Sequence, residues 1–357
     1  MKFINQTTSL CDKCYRHIPA HVYEFDDSIV IKKTCEEHGN MFGTVEIDKD
    51  FYFGLNHKQF FDFNVVLFEA SDRCQLNCPH CYHLPDNKVQ DKSIDTIIDQ
   101  VSLFPNNVHV MIAGAEPTLR PDFVEMISEL KKLNFPKLEI LSNGLKFANE
   151  KWTSRVFDAG ASVMCFGLNH PSYQGLAVHN KQLRALEVLK HTDFEISYVG
   201  YTIESYDHLP YILSEIKNIN HKNINHFRIR CGSFIGRSSD KQRSYLSTLY
   251  KEVKRITKGN ITLEPADDNP YHIMVNWDGI ILRLIQWPDV TNIDLDELST
   301  GPWCQFYDGP ITNFVHQVIT RDAFKNNNLP MLDTVPKKYQ YRPLDKLIYW
   351  KEKLSYD

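Results

Sequence analysis

Three cysteines in the run Cys74-Gln-Leu-Asn-Cys78-Pro-His-Cys81-Tyr82 carry the densest chemistry in this 357-residue chain. Thiolates spaced C-x3-C-x2-C can hold three irons of a [4Fe–4S] cluster and leave the fourth iron with no protein ligand. An iron with an open position can bind another molecule, so the spacing points to reactivity more than to structural support. A second set lies nearer the N-terminus, Cys11-Asp-Lys-Cys14 and Cys35-Glu-Glu-His38, with twenty residues between the two pairs. Two such knuckles, each offering two ligands within one turn, can close a tetrahedral site around zinc or a mononuclear iron.

The elements around these residues must bring them together. Between the knuckles, His21-Val-Tyr-Glu-Phe25 and Ile29-Val-Ile-Lys-Lys33 flank Asp26-Asp27-Ser28, which predicts a hairpin. Gly39 after His38 suits the sharp turn of a knuckle. A unit this small needs its metal, whose binding can supply on the order of 10 kcal/mol of folding energy. From residue 64 the pattern changes to apolar strands alternating with amphipathic helices. Strands are expected near 64–70, 108–113, 137–142, 162–168, 194–202 and 226–231. Ser93 caps a helix with Ile94, Ile97, Ile98 and Val101 on one face, and Pro121 begins another with Phe123, Met126, Ile127 and Leu130. Further helices are expected near 150–158, 181–191, 206–218 and 239–257. Such alternation predicts an α/β fold, a parallel sheet covered by helices, with chemistry at the C-terminal strand ends. Both the three-cysteine run and a second segment, Gly114-Ala115-Glu116-Pro117-Thr118, fall at such ends. After residue 258 the rhythm fades. A hairpin over 271–285 turning at Trp277-Asp278-Gly279 precedes a stretch rich in Pro, aromatics and charge.

The paired cysteine run and Gly114–Thr118 segment resemble the radical S-adenosylmethionine (SAM) superfamily over roughly residues 64–240. The resemblance implies a partial (β/α)6 barrel in which Cys74, Cys78 and Cys81 bind a [4Fe–4S] cluster and the amino and carboxylate groups of SAM chelate the open iron. Gly114, Ala115, Glu116 and Pro117 would contact the SAM amino group, with Ala115 standing where a second Gly is usual. His80, before the third cysteine, would lie near the adenine. Ser142 and Asn143 would supply a polar SAM contact, Asn169 would meet the ribose and His170 the substrate. One of Arg228, Arg230 and Arg237 would reach the SAM carboxylate. The implied reaction is reductive cleavage of SAM to a 5′-deoxyadenosyl radical that abstracts hydrogen from a small-molecule, lipid or peptide substrate. The electron would come from a flavodoxin- or ferredoxin-type reductant. Carbon–carbon bond formation, methyl-type transfer and peptide modification all fit.

Cys11, Cys14, Ile18-Pro19-Ala20 and Cys35-Glu-Glu-His38-Gly39 resemble the N-terminal segment of one branch of that superfamily, which includes tetraether lipid synthases and methanopterin-related methylating enzymes. The expected domains are a metal ribbon over 1–55, a radical SAM core over 60–258 and a C-terminal extension over 259–357 capping the barrel. Two other functions compete. A non-catalytic ribbon adaptor would need only the ribbon, and a thiol–disulfide oxidoreductase would use Cys78-Pro-His-Cys81, but the latter leaves Cys74 and Gly114–Thr118 unused. Cys165 and Cys231 fall in strand patterns as small buried residues, and Cys304 is isolated. Nine cysteines, an odd number of which six fall in metal-ligand groupings, argue against a disulfide framework. A net charge of −5 with no basic stripe gives no electrostatic case for nucleic acid. The absence of a long apolar run or signal-peptide pattern makes a cytoplasmic location the default expectation.

Overall fold

Alternation decides the N-terminal unit. In β3 (Ser28–Cys35) Ile29, Ile31 and Lys33 turn to one side and are buried, and β2 (His17–Phe25) sends Ala20 and Val22 to meet them. The two strands pair antiparallel around Asp26-Asp27, with Asp26 at φ +52°, as the hairpin pattern requires. Two further strands, β1 (Lys2–Leu10) and β4 (Gly39–Glu46), complete an antiparallel sheet in the order β1-β2-β3-β4. Helix α1 (Lys49–Gly54), capped by the Asp48 carboxylate at 2.9 Å from the Phe51 N–H, adds Tyr52 to a small core of Ala20, Val22, Ile29, Ile31 and Val45.

The computed structural model describes residues 1–13, 17–55, 65–81, 85–102, 106–107, 109–219, 221–231, 245–264, 272–286, 292, 294 and 306–308. Cys14, Arg237 and Cys304 therefore lie outside the described residues.

Six parallel strands form the body of the second sheet: β5 (Val65–Ser71), β6 (His109–Gly114), β7 (Leu138–Ser142), β8 (Val163–Gly167), β9 (Glu195–Ile203) and β10 (Ile224–Cys231). Each is followed by a helix: α2 (Ile94–Val101), α3 (Phe123–Lys131), α4 (Glu150–Asp158), α5 (Leu176–Lys190), α6 (Leu209–Asn218) and α7 (Leu246–Ile256). Every strand has at least one residue fully buried in the core shared with these helices, among them Phe68, Ile112, Ile140, Phe166, Val199 and Ile229. Ser93 caps α2 through the Thr96 N–H, and α3 buries Phe123, Met126, Ile127 and Leu130. The sequence pattern placed the start of α5 near 181. The helix begins at Leu176 instead, because Gly175 at φ +84° lets the chain turn into it directly.

The described strands of the C-terminal extension lengthen this sheet at both edges. The hairpin of β12 (His272–Trp277) and β13 (Ile280–Ile285) joins with β13 parallel to β10, β11 (Ile261–Leu263) pairs with β12, and β14 (Phe306–Asp308) runs parallel to β5. The result is an open ten-stranded sheet, a partial barrel, in the order β11-β12-β13-β10-β9-β8-β7-β6-β5-β14. Among the described residues no helix is long and apolar enough to cross a membrane.

The two sheets touch through α7. Glu46, at the end of β4, is 3% exposed, and its carboxylate accepts bonds from the Ser247 N–H at 3.1 Å and from the Ser247 hydroxyl. A carboxylate is well placed against the free N–H groups of a helix N-terminus. Lys251 pairs with Asp48 at 2.6 Å, and Phe51 lies against Tyr250 with ring centroids 5.4 Å apart. Burial nonetheless pushes the Glu46 carboxyl above its usual range, the Ser247 bonds opposing it.

Candidate functional site

The loop after β5 carries Cys74, Cys78 and Cys81, all half-buried and unbridged. Its backbone is tied down from several sides. The Cys74 N–H donates to Asn87 Oδ1 at 3.0 Å, the Leu76 N–H points at the Cys74 sulfur at 3.4 Å, and the Cys81 N–H bonds the Cys78 carbonyl at 3.2 Å. Arg73 and Ser71 both hold Asp91, which folds the segment from Asp86 back onto the strand end. Burial, then the nearby Glu116, Cys78 and Cys81, pushes the Cys74 thiol up to about 12. A thiolate at this place needs a strong compensating positive charge, which the irons of a cluster held by the three cysteines would supply.

Two asparagines from neighbouring strand ends reach the sulfurs. Asn143 after β7 points its amide N–H at Cys74 at 3.9 Å, and Asn169 after β8 points its own at Cys78 at 4.0 Å. N–H groups aimed at cluster-binding sulfurs are a recognised way to tune such a centre.

Glu116 lies behind this layer rather than in it. Its side chain is fully buried and accepts four bonds: from the Thr118 N–H and hydroxyl, from the Ser142 hydroxyl at 2.9 Å and from the Asn143 N–H at 2.8 Å. Burial pushes its carboxyl above the usual range, these donors opposing the rise. All that bonding is internal, so Glu116 fixes the β6 and β7 ends relative to each other. The one position of the Gly114–Pro117 segment that demands glycine is Gly114, at φ +127°, where an added Cβ would stand 2.4 Å from the Ser71 carbonyl oxygen. Ala115 has an ordinary negative φ and donates its N–H to that same oxygen at 2.8 Å, which is why alanine is accommodated there. Pro117 begins a short 3-10 turn that Glu116 caps.

His80 is 7% exposed and packs edge-on to Tyr173, with ring centroids 5.2 Å apart. His170, assigned to the substrate by the resemblance, is committed locally. Its Nδ1 accepts from the Ser172 N–H, and its ring stacks on His208 at 4.2 Å. Arg230 donates to the Thr202 hydroxyl at 3.1 Å, and Arg228 lies over the Tyr198 ring at 3.6 Å.

Several residues that hold these ends together carry no motif. Gln182 of α5 donates one amide group to the carbonyls of both Asn143 and Gly167, each at 2.9 Å, and so clamps the β7 and β8 ends. His179, one turn earlier, donates Nδ1–H to the Asn169 carbonyl at 3.0 Å and pairs with Glu215 at 2.6 Å. Burial alone would lower the His179 pKa, but the Glu215 carboxylate outweighs it and raises the value. Arg120, 1% exposed, ties Asp122 to the Ala70 carbonyl. A polar residue recurring on the buried face of a helix is the only sequence signal for Gln182 and His179, at the spacing of Leu186 and Leu189.

In the N-terminal sheet, Cys11, Cys35 and His38 bring their ligand atoms within 4.8 Å of one another. His38 Nδ1 stands 3.5 Å from each sulfur. With Zn–S about 2.3 Å and Zn–N about 2.1 Å, a tetrahedral sulfur–nitrogen edge is about 3.6 Å, so these three side chains are set for a metal ion. Buried Lys33 supports the knuckle by donating to the Leu10 carbonyl at 2.9 Å and pairing with Asp12.

Comparison with known proteins matches two segments of the chain. Residues 3–45 match the HMPTM N-terminal zinc ribbon domain, and residues 68–216 match the radical SAM superfamily. A 7,8-dihydro-6-hydroxymethylpterin dimethyltransferase of Methanocaldococcus jannaschii is 29% identical over 195 residues, which are 44% of this chain and 38% of that protein. A GTP 3′,8-cyclase of Staphylococcus haemolyticus is 23% identical over 151 residues, 38% of this chain and 42% of that protein. The matched region thus spans about two fifths of these curated relatives. Among solved structures, Streptococcus suis SuiB bound to precursor peptide SuiA has a TM-score of 0.49 at 14% identity, covering 81% of this chain and 65% of that one.

Proposed function

We infer that this chain, which carries a radical SAM domain behind an N-terminal zinc ribbon, is an enzyme that cleaves SAM reductively and removes a hydrogen atom from an organic substrate. Cys74, Cys78 and Cys81 would hold a [4Fe–4S] cluster, and Cys11, Cys14, Cys35 and His38 a structural zinc. When bound, the cluster and SAM would supply one electron and a 5′-deoxyadenosyl radical. The protein's own work is positional. Asn143 and Asn169 direct N–H groups toward the sulfurs, Glu116 locks the strand ends that face SAM, and Gln182 keeps the β7 and β8 ends from separating. The half-buried loop shields the cysteines while leaving a side accessible to a reductant of flavodoxin or ferredoxin type.

The observation that carries this reading is the presence of three unbridged cysteines on one loop, with Cys74 raised by burial and the Asn143 and Asn169 amides aimed at Cys74 and Cys78 from the C-terminal ends of parallel strands. Of the reaction types compatible with it, methyl-type transfer to a small molecule is favoured. The support is likeness to a dimethyltransferase together with a matching ribbon of the same named class. The test is anaerobic reconstitution with iron and sulfide, followed by dithionite and SAM. The expected products are methionine and 5′-deoxyadenosine from the intact protein and neither from Cys78→Ala. A chain that keeps its ribbon metal but cleaves no SAM would be an adaptor.

A further inference from the structure

One short turn grips half of the cysteine loop. After β8 the chain forms a 3-10 turn, Pro171–Tyr173, opened by the Ser172 N–H bonding His170 Nδ1 at 3.2 Å. Around it Asn169 aims its amide at Cys78, Tyr173 packs on His80, and Gln174 Oε1 accepts the Asn77 N–H at 3.4 Å. These contacts run along the Asn77–His80 arm, which carries Cys78 and leads into Cys81.

The turn is itself anchored. The Tyr173 hydroxyl accepts the Glu204 N–H at 2.9 Å, which leaves its own proton for His208 Nδ1, also at 2.9 Å. The Gln174 and Gly175 N–H groups both bond the Pro171 carbonyl. Gln174 is thus held against the loop by its backbone as well as by its side chain.

Only half of its amide is used. A backbone N–H must meet an acceptor, so the bond from Asn77 settles which end of the amide is oxygen. The Gln174 nitrogen is buried, and among the described residues it has no acceptor. A buried N–H left in that state is destabilising, and beside a binding loop it suits a group that the loop will hold. A cluster would bring sulfurs to this place. Reduction adds negative charge to them, so a donor favours the reduced form.

We propose that the Gln174 side-chain N–H donates to a sulfur of the cluster held by Cys74, Cys78 and Cys81, and thereby makes that cluster easier to reduce. Asn143 and Asn169 already aim amides at cysteine sulfurs, and Gln174 is the third of the set. The proposal rests on the reading of the loop as a cluster site, and it commits the donor to the cluster rather than to SAM.

The test is a redox titration of the reconstituted full chain, followed by electron paramagnetic resonance with and without SAM. Gln174→Met keeps the length of the side chain and removes the amide. The equilibrium constant for one-electron reduction should fall about tenfold in both conditions, a midpoint lower by about 59 mV. Iron and sulfide content should stay at the wild-type level. An unchanged midpoint overturns the proposal. So does a fall seen only with SAM bound, which would assign the donor to SAM. Lost iron and sulfide with an unchanged midpoint in the remaining clusters also overturns it, since Gln174 would then only prop the Asn77 arm.

Should Gln174→Met assemble no cluster, the wild-type chain answers instead. With glutamine side chains labelled with nitrogen-15, the reduced cluster should show a weak nitrogen-15 coupling. That coupling should survive Gln75→Ala, which removes a second glutamine near the loop, and its absence overturns the proposal. If the midpoint falls in Gln174→Met but the wild-type chain releases no 5′-deoxyadenosine, the enzymatic reading alone is lost, so the two failures are distinguishable.

Discussion

Cys11, Cys35 and His38 lie in a packed corner of a four-stranded sheet, whereas Cys74, Cys78 and Cys81 lie on a half-buried loop at the ends of parallel strands. The first set has its ligand atoms already at a tetrahedral edge and a buried lysine bracing the knuckle. The second is held by hydrogen bonds to its backbone and approached by amides from β7 and β8. The core around the ribbon is a handful of side chains, while the barrel's helices and strands share one extended core. A metal bound in the first case would therefore substitute for apolar burial, and one bound in the second would have no such duty. What the barrel invests in its cysteines is position.

The largest test of that contrast is metal removal. Chelation, or Cys35→Ser, should expose the amides of β1–β4 to hydrogen exchange while the parallel sheet stays protected, a loss on the order of 10 kcal/mol from the ribbon. Cys78→Ser should leave exchange in both sheets unchanged. If β1–β4 stayed protected without metal, the small apolar cluster would suffice and the contrast would fail. Next comes Gly114→Ala, which joins a left-handed φ to a Cβ 2.4 Å from the Ser71 oxygen. We expect a loss of about 3 kcal/mol in urea unfolding and poor retention of iron and sulfide. Glu116→Gln should cost about 2 kcal/mol, because a side-chain N–H group would face donors that now bond a carboxylate.

The smallest effect concerns the His179–Glu215 pair behind the β8 end, worth about 1 kcal/mol as a buried hydrogen-bonded contact. Glu215 is held below the ordinary value of 4.5, its partners His179 and Tyr201 overcoming burial, so its contribution is lost as pH falls through that lowered value. His179 is raised above 6.5, so its contribution is lost as pH rises through the raised value. Stability from the pair should therefore peak between about pH 4.5 and 6.5, and Glu215→Gln should flatten both limbs of the profile.

Much of this arrangement was legible in the sequence, and unevenly so. The cysteine spacings, the hairpin at Asp26-Asp27, the α3 stripe and the six strand–helix repeats rest on local patterns that tertiary context did not override. The strand β1 did not declare itself, because Asn5-Gln6-Thr7-Thr8 lacks the apolar alternation of a half-buried strand. The joining of β13 to β10 is a long-range pairing between strands far apart in the chain, which no local signal specifies. At the site, the family resemblance picked out Glu116 for SAM but carried no sign of what holds the carboxylate. Its four internal bonds, and the clamp from Gln182, are visible only once the strand ends are side by side.

The contact between Glu46 and Ser247 joins residues 201 positions apart. A chain emerging from its N-terminus would finish the knuckle residues long before α7 exists, so the ribbon can capture its ion early and wait. Glu46 has a local donor in the Ile47 N–H at 2.8 Å, but the two from Ser247 arrive only with α7. The order of synthesis would thus separate ion capture from docking, since the knuckle residues precede α7 in the chain.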